Sequence, residues 1–511
     1  MKKLLIYVQI MILPFLLACN EDEGNYDYRA INDVTISGIE ASYIVINGYD
    51  KLEISPVITT SKGDDSRLTY EWQVQWKNKP DYWFPVISDT RDLSWEVSAP
   101  LLGDYVLMFR VTDTETGVVT LASAALEVTT LTGSGLMVIG ENLEGNTQVD
   151  FISMATDTIV LTNAMNESTG FDNNAKPINI CKAGKGKNNY WLYVMTDKEA
   201  WDVDLKTLNV KAGKEFSNNS YITDEETFPD KDFYVVDFFP HFTPNMFREE
   251  TRNNIAVCSN GLLFAGRTGF LDPINKFGDE KDVSYAKPYM LASIMYYSPD
   301  EFLYYDEVHE RFIKGTRGNS WSPSSISRMT DNVGDPFPWN QQEVGRTLQY
   351  AQNSSNTDNG STYGNSFALM RDKATGDYYI YKMYVRNYSK LDCYTLGQMA
   401  TDLDKATFHV FSSKRTALYY TVGSKLYGLD YNRGNEKVTL IKDFGDEITM
   451  MEVDDVKEFE DDYIYVATYN STTGGTLVKL QQGTDPDKLE LEEVPNGKWT
   501  GLSKIVGMTY K

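Results

Sequence analysis

The sequence predicts an all-β protein: an N-terminal β-sandwich followed by a β-propeller of roughly seven or eight blades. Three observations carry that expectation. Aromatic residues are plentiful, with 34 tyrosines, 23 phenylalanines and 9 tryptophans against only 3 histidines. Aromatic and β-branched runs are cut at short intervals by Asn, Asp, Gly and Thr, the composition of strands separated by turns. Between residues 131 and 511 no segment keeps the 3.6-residue apolar period of an amphipathic helix.

The chain opens with MKKLLIYVQIMILPFLLACNEDE. Lys2 and Lys3 form a charged n-region, Leu4 to Leu17 an apolar h-region, and Leu16-Leu17-Ala18 leads directly into Cys19, the order of a secretory signal. The apolar run falls short of the ~20 residues a spanning helix needs, and Pro14 interrupts it. The segment resembles the lipobox of bacterial lipoproteins. That resemblance implies that residues 1–18 are a signal peptide and that Cys19 is acylated and becomes the lipid anchor. Residues 19–29, with Glu21, Asp22 and Glu23, form an acidic tether. The other cysteines, Cys181, Cys258 and Cys393, are too few and too far apart for a disulfide framework. Cys258, inside Ile255-Ala256-Val257-Cys258, reads as a small buried hydrophobe.

Residues 30–130 read as short strands at regular intervals, among them Tyr43–Ile46, Lys51–Ile54, Leu68–Val74, Tyr105–Val111 and Ala124–Val128. Asn47-Gly48, Lys62-Gly63-Asp64-Asp65 and Thr116-Gly117 supply turns between them, a spacing that suits an immunoglobulin-like sandwich. Tyr105, Leu107, Phe109 and Val111 fall on one face of their strand. By the same logic Trp72 is a core plug on the facing sheet. Tyr70-x-Trp72 and Gly103-x-Tyr105-x-Leu107-x-Phe109-x-Val111-x-Asp113-x-x-x-Gly117 resemble the PKD-type sandwich. Together with the lipobox and Gly24-Asn25-Tyr26-Asp27-Tyr28, they make the first 130 residues similar to the PKD-like family lipoproteins of Bacteroidetes.

Thr129-Thr130-Leu131-Thr132-Gly133-Ser134-Gly135 marks a boundary, and residues 131–511 follow as a propeller-like domain. One unit recurs there: an apolar or aromatic strand, a turn, then a second strand. Asn189–Met195 leads to Ala200–Leu205, Ala417–Val422 to Lys425–Asp430, and Tyr463–Thr468 to Leu477–Leu480. This is the hairpin rhythm of propeller blades, which run about 40–50 residues each. The final Ile505–Tyr510 is placed to close the ring by completing the first blade. A second sandwich with smaller domains is the competing architecture.

The net charge of −25 comes with no basic stripe able to displace counterions from phosphates, so nucleic acid is excluded as a partner. His241, His309 and His409 are scattered, with no H-E-x-x-H, no G-x-S-x-G and no phosphate-cradling glycine loop. The 73 acidic residues are too abundant for any pair to single itself out as a glycosidase dyad. Asp202 with Asp204, and Asp454 with Asp455, lack the EF-hand pattern and read as solvated turn acids. No catalytic residue, metal ligand or cofactor is assigned. Between Gly315 and Asn365 runs a long polar stretch, and long loops tend to be functional or disordered. It carries Trp321, Phe337 and Trp339, and the first domain adds Trp83 in Tyr82-Trp83-Phe84-Pro85. Such rings either pin their loops to the fold or offer flat faces to a sugar or peptide. On the second reading, losing Trp321 and Trp339 weakens ligand binding without unfolding.

The expectation is therefore a non-catalytic outer-membrane lipoprotein, held by its N-terminal lipid. Its resemblance to the PKD-like lipoproteins implies an accessory role beside a nutrient importer of the starch-utilisation type. There it would bind polysaccharide or peptide, or dock on the transporter and its receptor lipoprotein. The acidic residues after Cys19 resemble the export signals of Bacteroidetes surface lipoproteins, which implies that the protein faces the extracellular side; a periplasm-facing protein with an ordinary polar linker is the alternative. An adhesion or assembly protein using the propeller for protein–protein contact is a further alternative, and a propeller-fold glycan hydrolase or lyase a weaker one.

Overall fold

The computed structural model divides the chain into two units, Met1–Thr130 and Leu131–Lys511. It describes residues 31–511 except 78–85, 100–101, 155–158, 167, 187–188, 244–251, 267–269, 279–281, 297–298, 320, 398–399, 401, 454–462 and 486–487. Cys19, the tether, Trp83 and the Asp454–Asp455 pair lie outside the described residues.

In the first unit the strands Ser42–Ile46, Val119–Thr129, Gly103–Asp113 and Leu68–Trp76 form one sheet in that order, with Ser42–Ile46 and Val119–Thr129 parallel. Two antiparallel pairs, Lys51–Ile54 with Leu93–Glu96 and Val34–Ser37 with Val57–Thr60, form separate two-stranded sheets. The alternation read from the sequence is the observed one: Tyr105, Leu107, Phe109 and Val111 are all buried in a single core with Leu52, Ile54 and Leu93. Trp72 joins that core, but not from a facing sheet. It sits directly opposite Phe109 on the adjacent strand of the same sheet, where cross-strand partners point to the same face. The two rings stack at 4.3 Å, and the indole N–H reaches the carbonyls of Thr90 and Arg91 at 3.1 and 3.2 Å. Asp113 ends the strand by accepting the N–H groups of Glu115 and Thr116 at 2.9 and 3.1 Å. Gly117 takes the positive φ (73°) that this turn requires.

The second unit is a propeller. Seven sheets succeed one another along the described residues. Blade two, Pro177–Gly186, Asn189–Thr196, Ala200–Val203 and Val210–Glu215, has four antiparallel strands in chain order, as do blades five, six and seven. Blade three adds a fifth strand, Ser220–Tyr221, parallel to Phe270–Leu271, and blade four has three strands among the described residues. Blade one draws on both ends of the domain. Its strands Gly135–Glu141, Thr147–Ser153 and Ile159–Leu161 are joined by Lys504–Tyr510, which pairs antiparallel with Gly135–Glu141 and closes the ring. Gly140 makes that seam possible, since a Cβ there would lie 2.5 Å from the Lys504 carbonyl oxygen and 2.6 Å from the Ser503 hydroxyl.

The packing follows from the sequence of each strand. Leu136, Met137, Val138 and Ile139 are all 0% exposed. Successive residues of a strand point to opposite faces, and these do: Leu136 and Val138 pack with blade seven, Met137 and Ile139 with blade two. The same holds around the ring, with one apolar cluster between each pair of neighbouring blades. Every sheet is therefore covered on both faces, which is why these strands read as unbroken apolar runs.

Candidate functional site

The innermost strands of the blades enclose a channel. They are Lys504–Tyr510, Pro177–Gly186, Val235–Phe239, Arg346–Asn353, His409–Phe411 and Glu447–Val453. Blade four contributes the segment around Leu291, which bridges to Leu303. Thr509, Lys182, Asp237, Leu291, Tyr350, His409 and Glu452, one residue from each blade, line a single cavity of about 530 Å³.

Some polar side chains at the wall are consumed by the ring itself. The Asn353 amide accepts the Ala292 N–H at 2.7 Å and donates to the Met290 carbonyl at 2.8 Å. Gln352 accepts the Phe411 N–H at 2.7 Å and donates to the Phe411 carbonyl at 3.0 Å. Blade five is thus latched to both neighbours. His409 is different: its ring stacks on Tyr350 at 5.3 Å, and no hydrogen bond to its nitrogens exists among the described residues. Burial pushes this imidazole down to about 4, so at neutral pH it is uncharged, with one donor and one acceptor to offer.

A second cluster lies where blades two and three meet. The Cys181 sulfur, an Asp237 carboxylate oxygen and a His241 ring nitrogen lie within 4.8 Å of one another, and all three residues line the cavity. His241 Nε2 is 2.8 Å from Asp237 Oδ1. Cys181 is buried, and that burial pushes its thiol up to about 11. At neutral pH it is a thiol rather than a nucleophilic thiolate. No spacing motif announces this trio, because Cys181 and the other two come from different blades. The four-residue interval from Asp237 to His241 is the one local signal.

Of the described aromatic rings that the sequence singles out, Trp321, Phe337 and Trp339, none lines the channel. Phe337 and Trp339 are 2% and 3% exposed, packed between blades four and five. Phe337 stacks on Tyr381 at 4.1 Å, and Trp339 meets Phe312 edge-on at 5.8 Å. Lys390 bonds Asp331 and Asp335 at 2.5 and 2.6 Å, with its ammonium 4.9 Å from the Trp339 ring centre. These two rings therefore pin the loop, which corrects the expectation that they face a ligand. Trp321 stands apart at 94% exposed; its N–H is held by Asn319 Oδ1 at 2.8 Å. Asp202 also departs from expectation, being buried and paired with Lys211 at 2.8 Å. Asp204 is the turn acid it reads as, accepting the N–H groups of Lys206 and Thr207 at 2.9 Å. Two of the three histidines reach the channel; His309 is held by buried Asp306 at 2.8 Å.

A model of the PKD-like family matches residues 19–177, and no curated protein matches the chain. Among solved structures, a quinoprotein alcohol dehydrogenase-like protein from Bacteroides thetaiotaomicron is 11% identical, with 93% of this chain and 98% of that one covered at a TM-score of 0.36. A post-proline cleaving enzyme from Rickettsia typhi is 10% identical over 71% of this chain and 46% of its own, at 0.28. The Dos1 propeller is 10% identical over 74% and 78%, at 0.26.

Proposed function

We propose that this chain is a lipid-anchored outer-membrane protein whose propeller binds a ligand without transforming it. It acts as an accessory to a nutrient importer of the starch-utilisation type, with Cys19 as the acylated residue and the extracellular side as its station. One observation carries the binding reading: the channel is a walled cavity of about 530 Å³, inside the range of about 300–1,000 Å³ usual for small-ligand sites. It has an uncommitted neutral imidazole, His409, in its wall. A glycan or peptide end fits that chemistry, offering hydroxyl or amide groups to the imidazole and a flat face to Tyr350.

The membrane arm of this reading is tested by recovering the acylated protein from membranes, with and without candidate polysaccharides. Co-recovery of an outer-membrane transporter or of bound polymer is expected. Recovery of neither, or an unchanged membrane fraction in Cys19→Ala, contradicts the assignment.

A further inference from the structure

We infer that Cys181, Asp237 and His241 form a three-ligand site for a divalent transition-metal ion of the zinc type, with its fourth position open to the propeller channel. The donor set is the first reason. One sulfur, one carboxylate oxygen and one imidazole nitrogen within 4.8 Å of one another suit a borderline-soft tetrahedral ion, whereas calcium and magnesium take oxygen ligands alone. Three protein ligands with one vacant position is the arrangement of reactive or ligand-accepting zinc sites rather than of closed structural ones. Because all three residues line the cavity, the vacant position faces it.

The scaffold is the second reason. The main chain around His241 is stitched to the strand that carries Cys181: Phe242 N–H donates to the Lys182 carbonyl at 2.6 Å and Gly184 N–H to the Pro240 carbonyl at 3.2 Å. His241 itself bridges to Ala183. On the neighbouring strand the pairing register steps between Val235 and Asp237, and such a bulge re-aims the side chain that follows it. Asp237 Oδ1 accepts the Phe238 N–H at 2.8 Å, which fixes the carboxylate. Its other oxygen, Oδ2, has no hydrogen bond among the described residues. All three donors thus sit on paired backbone, the condition for a site held before the ion arrives.

The alternative is a His–Asp pair beside an ordinary core cysteine. Cobalt separates the two, because a thiolate ligand gives Co²⁺ a near-ultraviolet charge-transfer band that a carboxylate–imidazole pair does not. The full chain, stripped with chelator, is titrated with Co²⁺ and then with Zn²⁺. A stoichiometric thiolate band that zinc displaces is expected. It should vanish in Cys181→Ser and persist in Cys19→Ser, Cys258→Ser and Cys393→Ser. Cys181 is buried in the contact between blades two and three, so its variant also disturbs packing. His241→Gln, at a half-buried position, is the second arm, and a loss of Zn²⁺ affinity of about 100-fold is expected there. No thiolate band in the stripped protein, or an unchanged band and affinity in His241→Gln, overturns the site. Neither result touches the membrane assignment, and glycan or peptide binding unaffected by chelator leaves the channel reading standing.

Discussion

The sandwich and the propeller bury their strands in different ways. In Gly103–Asp113 every second residue enters the core, and Tyr105, Leu107, Phe109 and Val111 meet on one face. In Gly135–Glu141 the four consecutive apolar residues Leu136–Ile139 are buried and divide between two neighbouring blades. A sandwich strand needs one partner layer. A propeller strand needs two, so each blade depends on the next, and blade one depends on a strand contributed from residues 504–510. The first unit is thus stabilised locally, the second by closure.

Removing residues 504–511 is the harshest way to break that comparison. It strips Ile505, Met508 and Tyr510 from the contact between blades one and seven, at about 1.5–3 kcal/mol for each buried side chain. That total rivals the whole net stability of roughly 5–15 kcal/mol for a typical domain. The expected result in calorimetry is loss of the propeller's cooperative transition while the sandwich's remains. Two separate transitions of undiminished size would show that closure matters little.

Trp339 and Trp321 sharpen it next, since they flank the strand Ser325–Arg328 with opposite burial. Trp339→Ala empties a contact between two blades and is expected to cost about 3–5 kcal/mol in denaturant unfolding. Trp321→Ala, at an exposed position, is expected to stay within about 0.5 kcal/mol. Equal losses would mean that the loop is not pinned as described.

A smaller effect comes from His409. Its folded value of about 4 lies below its ordinary 6.5, so the unfolded chain takes up a proton that the folded one refuses. The stability this contributes is complete above pH 6.5 and is lost as pH falls through about 4. The full shift corresponds to roughly 3 kcal/mol, and the solvent that reaches the channel trims it toward about 1–2. Unfolding measured from pH 7 to pH 4 should show the slope, and His409→Phe should flatten it. An identical slope in the variant assigns the dependence elsewhere.

The difference between the two units also governs what could be read from the chain. The sandwich was legible residue by residue, because alternation and the Asp113-x-x-x-Gly117 turn are local. Only the placement of Trp72 failed, since pairing between strands is not written in either one. The propeller was legible as a rhythm, down to the closing strand. The functional positions were not. Aromatic rings on a polar loop look alike whether they face solvent or a neighbouring blade, and only the packing against Tyr381 and Phe312 reveals that Phe337 and Trp339 face inward. The channel assembles single residues from all seven blades, and Cys181 meets Asp237 and His241 only after two blades have packed. No linear motif carries such a juxtaposition.

The central claim, that the channel and not the exposed Trp321 loop takes the ligand, is tested most directly by one calorimetric titration series. Wild type, His409→Phe and Trp321→Ala are each titrated with the same panel of oligosaccharides and peptides. His409→Phe keeps a ring against Tyr350 while removing both nitrogens. The account predicts a loss of about 10-fold or more in affinity for that variant and wild-type affinity for Trp321→Ala. Unchanged binding in His409→Phe with loss in Trp321→Ala would contradict it and return the site to the loop.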